Sequence, residues 1–421
     1  MKVRQIKPKP LNSSILVSVP GSKSISHRIL ICAALAEGES IINNLLYSED
    51  IRFTMSALSK MGALIREKKP GVFTVKGFNG QPRPFSDPIY LGNSGTSMRL
   101  VAGVAGLGRS PYILTGDDRM QQRPMKDLLT ALDSAGIKAE TLKGGSSPPV
   151  RIQGGALTGG PVCLDCSKSS QYLSSLLMAG PFFEEGLTIS LPFAAVSAPY
   201  IDLTMDVMAQ FNVSASRINE LKYQVPGKQT YCPGEFSVEP DISNASYFWA
   251  AGAVSGKMVS VAGINKNSLQ GDIRFLDILE QMGCLIDVRE NSTGVKGGFL
   301  NGVDVDMSDI PDVVPTLAVV AAFARGKTMI RNIAHLKNKE SNRIDAVVSQ
   351  LGKMGIEADQ GEDWLSVTGG RPLGAVIETF NDHRIAMAFA VAGLMVEKVE
   401  IENPGCVAKS FPGFWEIFDE L

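Results

Sequence analysis

A period of about 70 residues runs through the whole chain and limits its fold more than any other feature. Six times a polar or charged cluster opens into a run of small apolar residues. The first three are PGSKSISHR into ILICAALAEG, LGNSGTSMR into LVAGVAGLG, and SKSSQ into YLSSLLMAG. The last three are ISNAS into YFWAAGAVSG, DIPD into VVPTLAVVAAFARG, and FNDHR into IAMAFAVAGL. Glycines close the first five at Gly38, Gly108, Gly186, Gly256 and Gly326, spaced 70, 78, 70 and 70, and the sixth ends near Leu394, 68 further on. Such regularity means one supersecondary unit repeated six times.

A second helix signal lies between these runs. DIRFTMSALSKMG places Ile51, Met55, Leu58 and Met61 on one face, and RIDAVVSQLGKMG repeats the pattern with Ile344, Val347, Leu351 and Met354. Gly62, Gly136, Asn212, Gly283 and Gly355 follow these helices, spaced 74, 76, 71 and 72. Gly or Asn just past a helix end predicts a left-handed cap. The unit therefore reads as strand, buried helix, strand, amphipathic helix, hairpin. Helices of Ala, Gly, Ser and Leu, apolar nearly all round, are buried on every side. A single large doubly wound sheet is the competing reading, but it would not demand six equivalent buried helices.

A chain of 421 residues is long for one core, so two domains of three units are expected. The predicted division is 20–239 for the first domain, and 1–19 with 240–421 for the second. A hinge is expected where the chain crosses, near Pro20 and Pro240. The strand ILVSVP is expected to complete the second domain, whose sixth unit stops short at FPGFWEIFDEL.

A net charge of −2 argues against nucleic acid, whose binders are usually strongly basic. No apolar run is long enough to span a bilayer, so no membrane partner is expected. The N-terminus lacks an apolar signal core, which points to the cytoplasm. Cys163 and Cys166 form a lone CxxC, read as structural thiols, and with three histidines in all no metal site is expected.

A helix start carries unpaired N–H groups and partial positive charge, which makes it a ready anion site. Here those starts also carry Lys23, Ser24, Ser26 and Arg28; Asn93, Gly95, Thr96 and Arg99; Ser169, Ser170 and Gln171; and His383 and Arg384. Further cations lie in loops at Arg123, Lys339, Arg343 and Lys409. So many cations in a near-neutral protein predict substrates with several negative charges. Asp312 and Glu340, set among them, are candidate proton-transfer groups. Asp50 reads as an ordinary residue of a helix's first turn.

In order and spacing, PGSKSISHR, LGNSGTSMR, RPM, SSQYLSSLLMAGP, SAPYID, IPD, KESNR, NDHR and AKSFPGF resemble the EPSP synthase family of enolpyruvyl transferases. The resemblance runs from about Pro20 to the C-terminus. It implies a two-domain inside-out α/β barrel, three repeats per domain, with domains that close over the substrates. It implies transfer of the enolpyruvyl group of phosphoenolpyruvate to the 5-hydroxyl of shikimate 3-phosphate, through a tetrahedral intermediate, with no metal or organic cofactor and a monomeric enzyme. By the same resemblance Lys23, Ser24, Arg28, Ser169, Ser170, Gln171, Ser197, Tyr200, Asp312 and Lys339 contact shikimate 3-phosphate. Lys23, Asn93, Gly95, Thr96, Arg99, Arg123, Gln171, Arg343, Arg384 and Lys409 surround phosphoenolpyruvate. Asp312 matches the base for the hydroxyl, and Glu340 the group that protonates the methylene carbon and later takes a proton back. Lys23 and His383 assist proton movement.

Some positions depart from the family pattern. Ser94 and Ser97 stand where alanine is frequent. Asn342 replaces a usual aspartate, which bears on how Arg343 is held. His335 stands where some relatives carry asparagine. Two rival readings are a UDP-N-acetylglucosamine enolpyruvyl transferase and a non-catalytic anion binder on the same repeat. DDRMQQRP lacks the reactive cysteine loop of the first. A pure anion binder gains nothing from Asp312 and Glu340.

Overall fold

The structure is a computed structural model that describes residues 2–8 and 14–421. Two strands, β1 (Val3–Ile6) and β2 (Ser14–Val17), precede the first repeat. That repeat holds α1 (Lys23–Leu35), β3 (Glu39–Asn43), α2 (Glu49–Lys60), β4 (Leu64–Lys69) and β5 (Val72–Lys76). The second holds β6 (Ile89–Tyr90), α3 (Gly95–Ala105), β7 (Tyr112–Thr115), α4 (Lys126–Ser134), β8 (Lys138–Thr141) and β9 (Val150–Gln153). The third holds β10 (Gly160–Cys163), α5 (Gln171–Ala179), β11 (Leu187–Ser190), α6 (Pro199–Gln210), β12 (Ser216–Asn219) and β13 (Lys222–Val225). The fourth holds β14 (Glu235–Ser237), α7 (Ile242–Ser255), β15 (Met258–Ala262), α8 (Phe275–Gln281), β16 (Leu285–Arg289) and β17 (Ser292–Lys296). The fifth holds β18 (Asp304–Asp306), α9 (Val314–Ala321), β19 (Lys327–Arg331), α10 (Arg343–Lys353), β20 (Ala358–Gln360) and β21 (Leu365–Thr368). The sixth ends early, with β22 (Val376–Ile377), α11 (His383–Gly393), β23 (Val399–Glu402) and α12 (Phe414–Asp419).

The chain divides into two compact units, Gly21–Val238 and, with the residues up to Pro20, Glu239–Leu421. The first contains three four-stranded sheets, ordered β14-β3-β5-β4, β6-β7-β9-β8 and β10-β11-β13-β12. The second contains β2-β15-β17-β16, β18-β19-β21-β20 and a three-stranded sheet β1-β23-β22. In each sheet a strand that leads into a buried helix lies parallel to a strand that follows one, and in four of the six the two strands flank the same helix. The six small sheets exclude the single doubly wound sheet. None closes into a barrel of its own; each half holds three separate sheets.

Two strands are exchanged. β2 precedes the first repeat but pairs with β15 of the fourth. β14 opens the fourth repeat but pairs with β3 of the first. Each therefore completes the sheet that the other's departure leaves short.

The six small-residue helices are buried almost throughout. All but Thr96 of α3, and all but Ser24 of α1, are buried. α7, α9 and α11 pack against one another in the second unit. α3 meets α5 closely because Gly103 has no side chain: a Cβ there would lie 2.6 Å from the Ser175 carbonyl oxygen. The Gly103 N–H instead donates to Ser175 Oγ at 3.0 Å. Gly62, Gly136, Asn212, Gly283 and Gly355 all have positive φ after their helices, as their spacing predicted. In the sixth repeat Lys398 takes the left-handed conformation before β23 that Gly38 and Gly326 take before β3 and β19.

Candidate active site

In the first unit the starts of α1, α3 and α5 gather four cations: Lys23, Arg28, Arg99 and Arg123. All four are buried. Arg28 donates to Thr204 Oγ1 at 2.7 Å, Ser174 Oγ at 3.2 Å, and the Ser24 and Tyr200 carbonyls at 2.9 and 3.1 Å. These partners are all neutral, and burial pulls its pKa down to about 10, so it stays charged at neutral pH. A buried cation held only by neutral oxygens has charge left to offer an anion. Tyr200 lies across its guanidinium at 5.9 Å. Ser197, buried, precedes α6 with a positive φ.

Arg99 and Gln171 tie two helix starts together. Arg99 Nη1 donates to Gln171 Oε1 at 2.9 Å, and Gln171 Nε2 donates to Thr96 Oγ1 at 3.0 Å. Arg123 Nη1 donates to the Asn93 carbonyl and to Asn93 Oδ1, both at 3.1 Å. Gly95 lies beneath both arginines, where a Cβ would fall 2.5 Å from Arg123 Nη2 and 2.7 Å from Arg99 Nη1. Ser169 Oγ accepts from the Gln171 N–H at 3.2 Å, and Ser170 is buried beside it.

The reading of Asp50 needs correction. It is in the first turn of α2, but it is also buried, with Oδ2 3.5 Å from Lys23 Nζ. Ser94 and Ser97 belong to a hydroxyl chain: Ser94 Oγ to Ser97 Oγ at 2.7 Å, then Thr54 Oγ1 at 2.8 Å, then His27 Nδ1 at 2.8 Å. These serines therefore brace α3 against α1 and α2.

In the second unit the starts of α9, α10 and α11 bring carboxylates and cations together. Asp312 stands in the turn Pro311–Val313 that leads into α9. Its Oδ1 accepts from Arg343 Nη1 at 2.9 Å and its Oδ2 from Arg384 Nη2 at 2.6 Å, with Lys339 Nζ 3.8 Å away. Glu340 Oε2 accepts from Arg343 Nη2 at 2.8 Å. Burial works against charge on Arg343, but Asp382, Glu340 and Asp312 outweigh it and hold the guanidinium well above its ordinary pKa. His383 is fully buried, its Nδ1 3.7 Å from Asp382 Oδ1, and Lys409 is buried at the end of the turn Pro404–Lys409.

Asp382 and Tyr247 were not singled out from the sequence. Asp382 is the N-cap of α11 and accepts from the Arg384 N–H at 3.0 Å, while its Oδ2 accepts from Arg343 Nε at 2.8 Å. An aspartate just before an apolar helical run is a cap signal that could have found it. Tyr247, inside α7, accepts from Arg384 Nη1 at 3.3 Å and had no local signal. Asn342 turns away from Arg343: it caps α10 and donates to Asp345 Oδ2 at 2.6 Å. His335 is buried near Lys339, Asp312 and Arg343, and burial with the two cations presses its pKa down to about 3, so it is neutral.

The chain thus holds two clusters, one rich in buried cations and one that pairs carboxylates with arginines. A sequence model of EPSP synthase (3-phosphoshikimate 1-carboxyvinyltransferase) matches residues 6–418. The chain belongs to the EPSP synthase family. It is 43% identical over 412 residues to a 3-phosphoshikimate 1-carboxyvinyltransferase of Photobacterium damsela subsp. piscicida, covering 96% of each chain. It is 43% identical over 408 residues to that of Syntrophobacter fumaroxidans, again with 96% of each covered. A solved EPSP synthase from Acinetobacter baumannii superimposes with a TM-score of 0.84 at 29% identity, covering 100% of this chain and 98% of the other. The fold is therefore the two-domain enolpyruvyl transferase fold, and the chain is an enzyme, a transferase.

Proposed function

We propose that this enzyme transfers the enolpyruvyl group of phosphoenolpyruvate to the 5-hydroxyl of shikimate 3-phosphate and releases phosphate. The observation that carries the reading is Asp312 and Glu340 held on one guanidinium, that of Arg343, at 2.9 and 2.8 Å. A site that only bound anions would have no use for two carboxylates there. Asp312 takes the proton of the 5-hydroxyl as its oxygen bonds to C2 of phosphoenolpyruvate. Glu340 gives a proton to the methylene carbon, which becomes a methyl group in a tetrahedral adduct. In the second step Glu340 takes a proton back from that methyl, the double bond re-forms, and the C–O bond to phosphate breaks; the proton taken by Asp312 leaves with the phosphate, which restores the carboxylate. Arg343 and Arg384 orient both the carboxylates and the donor's negative groups.

Lys23, Ser24, Arg28, Ser169, Ser170, Gln171, Ser197, Tyr200 and Lys339 are assigned to shikimate 3-phosphate in this reading. Asn93, Gly95, Thr96, Arg99, Arg123 and Lys409, with Lys23 and Gln171, are assigned to phosphoenolpyruvate, and Lys23 and His383 assist proton movement. Charge-assisted hydrogen bonds of this kind contribute on the order of 1.5–3 kcal/mol each. Preorganised charge of this sort usually supplies the largest share of rate enhancement. The test is phosphate release from phosphoenolpyruvate with shikimate 3-phosphate or UDP-N-acetylglucosamine as acceptor. Release with the first acceptor alone is expected; release with the sugar nucleotide alone would move the assignment to that rival.

A further inference from the structure

The start of α7 carries a carboxylate that the proposed reaction does not use. Asp272 lies in the turn Gly271–Arg274 just before α8 and is 3% exposed. Its Oδ2 accepts a hydrogen bond from the Ser243 hydroxyl in the first turn of α7. Its Oδ1, also buried, has no hydrogen-bond partner among the described residues. Among the described residues no ion pair forms on this carboxylate, which is an expensive state for a buried charge.

Its surroundings lead to Asp312. Tyr247 stands one turn along α7 from Ser243, on the same helix face. Its hydroxyl accepts from Arg384 Nη1, and the other end of that guanidinium holds Asp312 Oδ2 at 2.6 Å. The charged groups within electrostatic reach of Asp272 are Asp312 before α9, Arg384 on α11 and Asp241 at the cap of α7. Arg274, on the same turn, points to Asp309 at 3.1 Å, and Asp277 and Glu280 of α8 are exposed. Burial first, then Asp312, pushes the Asp272 carboxyl up to about 7, while Arg384 and the Ser243 hydroxyl pull the other way. The carboxyl thus changes state near neutral pH, and two acids within reach of one arginine titrate as a coupled pair.

We propose that Asp272 is a positioning residue for Asp312: as an uncharged acid it leaves Arg384 to Asp312, and as a carboxylate it competes for Arg384 and makes Asp312 take a proton more readily. It touches no substrate, and no bond is made or broken at it. The inference rests on the reading of Asp312 as the base for the acceptor hydroxyl.

The experiment is kcat against pH, from about pH 5 to about 9, for the parent enzyme, Asp272→Asn and Ser243→Ala. The parent is expected to show a rise on the order of two- to fivefold centred near pH 7. Asp272→Asn is expected to lose that step and stay at the low-pH level, with KM values within about twofold of the parent. Ser243→Ala removes the hydroxyl that favours the charged carboxylate, so its step moves to higher pH. A residue that only supported the fold would not produce one variant without the step and another with the step displaced. The idea is overturned when a step present in the parent persists in Asp272→Asn, or when it stays in place in Ser243→Ala. Spectra of carboxyl-labelled aspartate, which need no turnover, separate this inference from the reading beneath it. An Asp312 signal that responds near pH 7 in the parent, but not in Asp272→Asn, supports the coupling even where kcat shows no step. In that case Asp312 is not the base. No response in the parent sinks the coupling itself.

Discussion

Glu340 and Asp312 share Arg343 but are read as having different work. Asp312 is also held by Arg384, which suits a group that must stay ionised until a hydroxyl gives up its proton. Glu340→Gln keeps the shape and removes the proton-transfer group. It is expected to lower kcat by about 10²- to 10⁴-fold with KM nearly unchanged. Calorimetry showing that substrate binding is lost instead would make Glu340 a structural residue. Gly95 gives a second test. Gly95→Ala sets a methyl 2.5 Å from Arg123 Nη2 and 2.7 Å from Arg99 Nη1, so both guanidiniums must shift. Losing about one charge-assisted hydrogen bond predicts a rise in the KM for phosphoenolpyruvate of about 10- to 100-fold, with a smaller effect on kcat. An unchanged KM would show that these arginines do not hold the donor. At this scale, chemistry written in one short motif was legible: KESNR carries Lys339, Glu340 and Arg343 together. Asp50 was not, because its partner Lys23 lies 27 residues earlier and the local pattern at Asp50 is that of an ordinary helix start.

Caps and helix starts carry the site at the next scale. α11 begins at Asp382, which accepts the Arg384 N–H and also holds the buried Arg343. One side chain thus joins the start of α11 to the start of α10. Asp382→Ala removes a cap, worth about 1 kcal/mol, and leaves a buried guanidinium short of a carboxylate, for a total loss of about 3–5 kcal/mol. Denaturant unfolding measures this. A loss of only about 1 kcal/mol would mean that Glu340 and Asp312 suffice for Arg343. The element order was legible because each amphipathic helix closes with Gly or Asn in the left-handed region at the predicted position. The sixth repeat was harder to place. Lys398 fills the left-handed position there, and lysine carries no signal for that conformation.

For the whole molecule, the period made six units readable, but the exchange of β2 and β14 between sheets was only half visible. The N-terminal strand had a predicted destination; the reciprocal passage of β14 into the sheet of β3 did not. Any three-residue strand such as EFS fits many parallel neighbours, so pairing is decided by the tertiary fold. Global stability offers a measurement to which the second unit contributes two opposed terms. The Asp272 carboxyl is pushed up to about 7, so between its ordinary value of 3.8 and that point the folded state binds more protons than the unfolded one. Stability from this group is present at low pH and lost as pH rises through the window. His335 is pressed from 6.5 down to about 3, so between those values the unfolded state binds more protons. Stability from His335 is present above the ordinary histidine range and lost as pH falls through the window. The windows overlap, and the two slopes oppose each other. Asp272→Asn removes the falling term, so its stability should climb with pH between about 4 and 6.5 more steeply than the parent's. His335→Gln removes the rising term, so its stability should decline with pH over the same range. Urea titrations at several pH values measure both slopes, and parallel curves for parent and variants would show that neither group titrates away from its ordinary range in the folded enzyme.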